Sequence, residues 1–221
     1  MSKVVIAIDG PAGAGKSTVA KILARDLGLT YLDTGAMYRC LALKAHREGL
    51  DPSDGIRAAQ LLDEITISFG TGDPQPVLMN GEDVTHEIRK HEISELSSAL
   101  SVHNRVRTAL VQRQKEIVKQ GGVVLEGRDA TTVIAPEADV KVYLTASLEE
   151  RSKRRHLELE SKGADAPFET IRRDVESRDH RDITRDESPL SVAEDASVIE
   201  SGGLNPQQVA DKIKALVPSR V

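Results

Sequence analysis

The nine residues Gly10-Pro11-Ala12-Gly13-Ala14-Gly15-Lys16-Ser17-Thr18 constrain this chain more than any other feature, because they match the pattern G-x-x-x-x-G-K-[ST]. The pattern carries meaning only between a strand and a helix, and both neighbours are legible. Lys3 to Asp9 is nearly all apolar, rich in β-branched residues and ended by Gly-Pro, so it reads as a short buried strand. From Lys16 the period changes: Val19, Ala20, Leu23, Ala24 and Leu27 recur at helical spacing, and Gly28 supplies the stop. In that setting the three glycines let backbone N–H groups converge on an anion, and the helix N-terminus adds partial positive charge there. Lys16 then contacts the β- and γ-phosphates of a nucleoside triphosphate, and Ser17 ligates Mg²⁺.

The rest of the chain continues the alternation. Thr30 to Asp33 reads as a second strand and Ala36 to Arg47 as a helix ending near Gly49, which is the rhythm of a parallel α/β fold. Residues 65 to 85 break it. Ile65 to Phe69 alternates, Gly70 to Pro76 is turn-rich, and Val77 to Val84 contains an Asn80-Gly81 turn, so a small antiparallel meander is expected here. From Glu92 to Gln120, apolar residues at helical spacing predict one or two long amphipathic helices ended by Gly121-Gly122. Val123 to Glu126 and Val140 to Leu144 resume the core strands, and Ser147 with Glu150 is a capping box that opens another helix. Ala196 to Glu200 is a last strand, and Asn205-Pro206 opens a terminal helix running to about Val217.

Composition narrows the function classes. The 221 residues suit one globular unit with inserted subdomains, since single cores commonly reach ~150 residues and beyond. There is no Trp and only three Tyr and two Phe, so stacking of bases on an aromatic platform, and with it most single-strand nucleic-acid modules, is not expected. The apolar run Val4 to Ile8 is too short for a signal peptide or a membrane span, and the single cysteine, Cys40, fits a reducing cytoplasm. No nucleic-acid or membrane partner is expected, and without an evident exposed apolar stripe a monomer is. The histidines lack metal-ligand spacing.

What becomes of the γ-phosphate must be read elsewhere. The chain has neither the N-K-x-D nor the D-x-x-G element of a GTPase. Its nearest candidate for the acidic strand of mechanochemical ATPases ends in Glu126 and runs into Gly127-Arg128-Asp129, at the carboxyl end of a core strand, where parallel sheets place ligands. Arginines are the next clue. Arg39 lies on the helix after the second strand, Arg128 follows the central strand, and Arg178, Arg181 and Arg185 fall at spacings of three and four, on one face of a helix. Guanidinium forks suit phosphate oxygens. From Arg151 to Arg185 ten Lys or Arg stand against eight acids, leaving +2 in a chain of net charge −5. Arg151 to Arg173 is expected to be a solvated, salt-bridge-laced face, and Arg178 to Arg185 a phosphate-binding one.

With these marks the chain resembles the bacterial cytidylate kinases, nucleoside monophosphate kinases of the P-loop class, essentially end to end. The resemblance is carried by the phosphate loop, Asp33 to Arg39, Asn80 to Thr85, Arg105-Val106-Arg107, Glu126 to Asp129 and Arg178 to Asp182. It implies an α/β fold: a P-loop core with a five-stranded parallel sheet flanked by helices, built from residues 1–35, 120–149 and 189–221. A monophosphate-binding domain at 36–119 carries the antiparallel insert, and a mobile helical lid occupies 150–188. It implies transfer of the γ-phosphoryl group of ATP to CMP and dCMP with Mg²⁺. By resemblance, Thr34, Tyr38 and Arg39 line the monophosphate pocket, with Arg39 and Arg128 on the α-phosphate. Ser98, Arg107 and Asp129 face cytosine, Asp182 and Arg185 reach the sugar, and Arg178 and Arg181 close over the transferring group. Tyr38 also reads as plain helix packing, and Ser98 as an ordinary helix serine. The family more often has Asp at the Glu126 position and Met or Ile followed by Gly at Ala130-Thr131; a glycine needed there for positive φ would force this loop to rearrange.

Overall fold

The computed structural model describes residues 4–70, 72, 74–161 and 166–218. Lys3, expected to open the first strand, lies outside them, as do Thr71 and Asp73 of the turn-rich stretch and residues 162–165 of the expected lid. The chain divides into two compact units, Met1–Tyr31 with Val118–Val221, and Leu32–Ile117.

The first unit is built on a parallel sheet of β1 (Val5–Asp9), β2 (Thr30–Asp33), β6 (Val123–Gly127), β7 (Val140–Thr145) and β8 (Ser197–Glu200), in the order β2-β6-β1-β7-β8. In the register of the central strands Asp9 stands level with Gly127 and with Tyr143, so β1 and β6 end level and β7 runs two residues further, to Thr145. Such strands are covered on both faces, which is why β1 and β6 are continuous apolar runs rather than alternating ones. Ile6, Ile8, Val124, Val142 and Leu144 pack with Val19, Ala20 and Leu23 of α1 (Lys16–Leu27) and with Val209 and Ile213 of α8 (Pro206–Lys214). Asn205 caps α8 reciprocally with Gln208, a full capping box ahead of the proline. Helices α6 (Leu148–Ser161) and α7 (Phe168–Thr184) complete the unit. At the start of α6, Ser147 Oγ accepts from the Glu150 N–H at 3.2 Å, but the Glu150 carboxylate takes Arg154 instead of closing the box.

The second unit contains α2 (Thr34–Arg47), α3 (Gly55–Leu61), the antiparallel sheet β3 (Ile67–Phe69), β4 (Val77–Met79) and β5 (Glu82–Asp83), then α4 (His91–Leu100) and α5 (Asn104–Val118). Asn80-Gly81 makes the β4–β5 turn with both residues at positive φ. Asn80 also uses its side chain, accepting from the Thr66 N–H at 2.7 Å and donating to the Glu64 carbonyl at 3.1 Å. The stretch expected as one or two helices is two, with the break at residues 101–103. Helix α3 was not expected from the sequence; Asp54 starts it by accepting from the Arg57 N–H.

Candidate active site

In the first unit everything converges on the loop between β1 and α1. Gly10 has a φ of +150°, and a Cβ there would sit 1.9 Å from the Leu144 carbonyl oxygen, so no other residue fits. Gly13, at φ +75°, lies close to α6, where a Cβ would come within 2.8 Å of the Arg151 carbonyl oxygen. Lys16 is buried, and its Nζ donates to the carbonyls of Gly10 (2.7 Å) and Pro11 (2.8 Å). Its pKa is pushed down to about 7, first by burial and then by the positive charges of Arg128 and Arg178, against the pull of Glu126 and Asp182. Ser17 Oγ donates to Glu126 Oε1 at 2.7 Å, and Tyr31 OH donates to the same oxygen at 3.3 Å.

Arg128 follows β6 and gives its Nε–H to Asp182 Oδ2 on α7 at 2.7 Å. Burial would raise the Asp182 carboxyl, but the charges of Arg128, Arg178 and Arg185 hold it below the usual carboxylate range. Asp129, next in the chain, is buried. Arg178 and Arg181 are partly buried on α7. Arg185 departs from the expected helical face: it lies one residue past the end of α7, in an extended conformation, and its guanidinium folds onto the Ser188 carbonyl (2.6 and 2.8 Å) and Asp182 (3.4 Å). The helix stops at Thr184, so the three-and-four spacing puts only Arg178 and Arg181 on one helical face.

Arg151 also corrects the expectation of a solvated face. It is buried, and it ion-pairs with Asp179 while donating to the carbonyls of Ala12 and Ala146, both at 2.9 Å. Asp179 in turn accepts from the Ala12 N–H at 3.0 Å, so the two side chains grip both polar groups of the Ala12 peptides. Ile171 and Val175 of α7 pack on the Ala12 methyl. Arg154 reaches the Ala14 carbonyl at 3.3 Å and the Ser201 hydroxyl at 2.9 Å. Lys153, Arg155 and Arg172 do behave as expected, pairing with acids three or four residues away on exposed helix surface.

In the second unit Asp33 caps α2 by accepting from the Ala36 N–H, and it takes Arg39 Nη2 at 2.9 and 3.1 Å and Arg89 Nη2 at 3.3 Å. Burial alone would raise its carboxyl, yet Arg39 and Arg89 hold it below the ordinary value. Two guanidiniums on one carboxylate leave a net positive charge at the N-terminus of α2, beside the buried Thr34. The Arg107 guanidinium lies over the Tyr38 ring, 5.8 Å from its centroid. Ser98, on α4, is buried with a hydroxyl that has no hydrogen-bond partner among the described residues.

The expected site residues therefore sort by unit. The phosphate loop, Arg128, Asp129, Arg178, Arg181, Asp182 and Arg185 belong to the first; Thr34, Tyr38, Arg39, Ser98 and Arg107 to the second. Arg89, Arg151, Asp179 and Asp9 were not singled out from the sequence. Nothing in local spacing marks Arg89 or Arg151, because their partners Asp33 and Ala12 lie 56 and 139 residues away. Among the described residues no helix is long and apolar enough to cross a membrane.

A phosphate loop at the carboxyl ends of a five-stranded parallel sheet, ringed by arginines, defines a P-loop kinase. The chain belongs to the cytidylate kinase family, whose model matches residues 6–219. It is an ATP-dependent nucleoside monophosphate kinase, and the family's reaction is phosphorylation of CMP to CDP. Cytidylate kinases from two strains of Streptococcus pneumoniae, 70585 and serotype 4 ATCC BAA-334, are each 46% identical to it over 224 residues, with all of both chains covered. An uncharacterized protein from Eubacterium ventriosum shares the fold, with a TM-score of 0.56 and 15% identity over 99% of this chain and all of that one.

Proposed function

We propose that the chain transfers the γ-phosphoryl group of ATP to CMP and dCMP with two anion sites prepared in advance. The observation that carries this reading is the gathering of Lys16, Arg128 and Arg178 at the phosphate loop, where burial first and the two guanidiniums second lower the pKa of Lys16. Asp182 and Glu126 stand against these three cations, and guanidinium forks with an ammonium beside them suit the further negative charge of phosphates. Residues 10 to 18 hold the ATP phosphates, with Lys16 on the β- and γ-phosphates. Ser17 holds Mg²⁺. A hydroxyl 2.7 Å from the Glu126 carboxylate offers the hard oxygen chemistry that this ion takes, and it needs few protein ligands because phosphates and waters provide the rest. When bound, the ion neutralises charge developing on the phosphoryl oxygens.

The acceptor is already a phosphate dianion at neutral pH, its second pKa being about 6, so no general base is required. Catalysis is then alignment and charge neutralisation. Thr34, Tyr38 and Arg39 line the monophosphate pocket, with Arg39 and Arg128 on its phosphate. Asp182 and Arg185 reach the sugar, and Arg178 and Arg181 close over the transferring group from the lid at 150–188. Ser98, Arg107 and Asp129 read cytosine; the unpartnered Ser98 hydroxyl supports a ligand there. Asp129 accepts from the cytosine amino group and would meet uracil O4 lone pair to lone pair, while Arg107 donates to N3 or O2 and would meet a donor at uracil N3. Phosphate and base contacts are common to CMP and dCMP, which is why both are substrates. The proposed setting is a cytoplasmic monomer, supported by the single buried Cys40 and by exposed large apolar residues that come singly along the chain.

A coupled assay with CMP, dCMP, UMP, AMP and GMP tests the reading. Turnover with CMP and dCMP, and kcat/KM for UMP lower by about 10²-fold, is expected, as two mismatched buried groups cost ~1–3 kcal/mol each. A preference for AMP, or ATP turnover that ignores the acceptor, would overturn it.

A further inference from the structure

The last residue of β1, Asp9, is fully buried, and among the described residues no cation pairs with it. Its carboxylate is met instead by three donors: the Ala130 N–H at 2.8 Å on one oxygen, and the Thr131 N–H at 2.7 Å and hydroxyl at 2.6 Å on the other. A buried carboxyl held by hydrogen bonds is a poor way to gain stability, and a precise way to fix geometry. What it fixes is a single π-helical turn, Ala130–Ile134, that begins directly after Arg128 and Asp129. On the other side Asp9 runs without a break into Gly10 of the phosphate loop. Thr131 takes no positive φ, so the loop as folded here does not call for a glycine at this position. The threonine is accommodated, and its hydroxyl adds a bond to Asp9 that a glycine at this position cannot make.

We propose that Asp9 is a positioning residue for acceptor recognition, and that through its bonds to Ala130 and Thr131 it sets the placement of Asp129 against the phosphate loop. The inference rests on the reading of Asp129 as the acceptor for the cytosine amino group. In this chain part of the base selectivity is therefore carried by the Thr131 hydroxyl, which touches no substrate.

Steady-state kinetics with CMP and UMP on wild type, Thr131→Val, Thr131→Ser and Asp129→Asn, with melting temperatures for each, test it. Thr131→Val keeps the shape and the N–H but deletes the hydroxyl. It should raise KM for CMP about 3–10-fold, the worth of one buried hydrogen bond, and narrow the CMP to UMP ratio of kcat/KM by a similar factor. KM for ATP should change less than about twofold, and Thr131→Ser should restore wild-type values, which a merely structural role would not require. Asp129→Asn should narrow the ratio further. If Asp129→Asn narrows it and Thr131→Val does not, the Asp9 bonds are only structural and this inference falls alone. If Asp129→Asn leaves the ratio unchanged, the reading of Asp129 falls and the inference with it. Should Thr131→Val fail to melt cooperatively, Thr131→Ala deletes the same hydroxyl and is read in the same way.

Discussion

The two anion sites proposed for the two units differ in how their positive charge is held. In the first, Lys16 is buried among cations and pushed toward its neutral form, so the positive charge that the donor phosphates meet is incomplete until they arrive. In the second, Arg39 and Arg89 converge on the carboxylate of Asp33. A lysine can yield a proton at accessible pH and an arginine cannot, so the lysine site is relieved by titration and the arginine site needs a counter-ion from the chain. The difference teaches that an empty phosphate site has an electrostatic cost of its own, and that the residue type decides how it is met.

The largest expected effect comes from removing the lysine. Lys16→Ala should lower kcat by about 10²-fold or more while the protein still melts cooperatively, since helix α1 keeps a good former and loses a buried charge. A variant retaining more than about a tenth of wild-type kcat would mean that Lys16 does not meet the transferring phosphates.

Removing the counter-ion of the other site should act on stability first. Asp33→Asn keeps the cap on α2, because Asn caps as well as Asp, but it removes the negative charge that Arg39 and Arg89 share. A loss of about 2–3 kcal/mol in unfolding free energy is expected, near the lower end for breaking a buried pair, because the amide still accepts one bond. Millimolar inorganic phosphate should then raise the melting temperature of the variant more than that of wild type. Equal shifts would show that Asp33 is no placeholder for an anion.

Part of this contrast was legible in the sequence, and the boundary is physical. The phosphate loop, the caps at Gly28 and Asn205 and the Asn80-Gly81 turn are written in neighbouring residues, so local rules find them. Helix α3 escaped because seven residues offer only the Asp54 cap and the spacing of Ala58 and Leu61. Arg151 escaped for another reason. On its own helix it is one more charge among many, and only the fold brings it to Ala12 and Asp179. Arg151→Lys tests how much that grip matters: a lysine keeps the charge but cannot serve Ala12, Ala146 and Asp179 together. KM for ATP should rise about 3–10-fold with kcat changed less, whereas a lower melting temperature with unchanged KM would limit the grip to docking α6 and α7.

The smallest effect is the most direct test of the opposition between the sites. The free-enzyme pKa of Lys16, lowered to about 7, leaves the amine mostly neutral at pH 8, and donor phosphates favour its charged form and so raise that pKa. Binding an unreactive ATP analogue at pH 8 should therefore take up close to one proton, falling toward zero at pH 6, where the free lysine is already charged. CMP should behave differently. Its phosphate is a dianion at pH 8, the arginines do not titrate, and Asp33 is held below the usual carboxylate range and stays ionised, so binding should exchange almost no protons there. Calorimetry in two buffers of different ionisation enthalpy reads both numbers. Proton uptake on binding CMP equal to that on binding the ATP analogue would erase the distinction between the two sites.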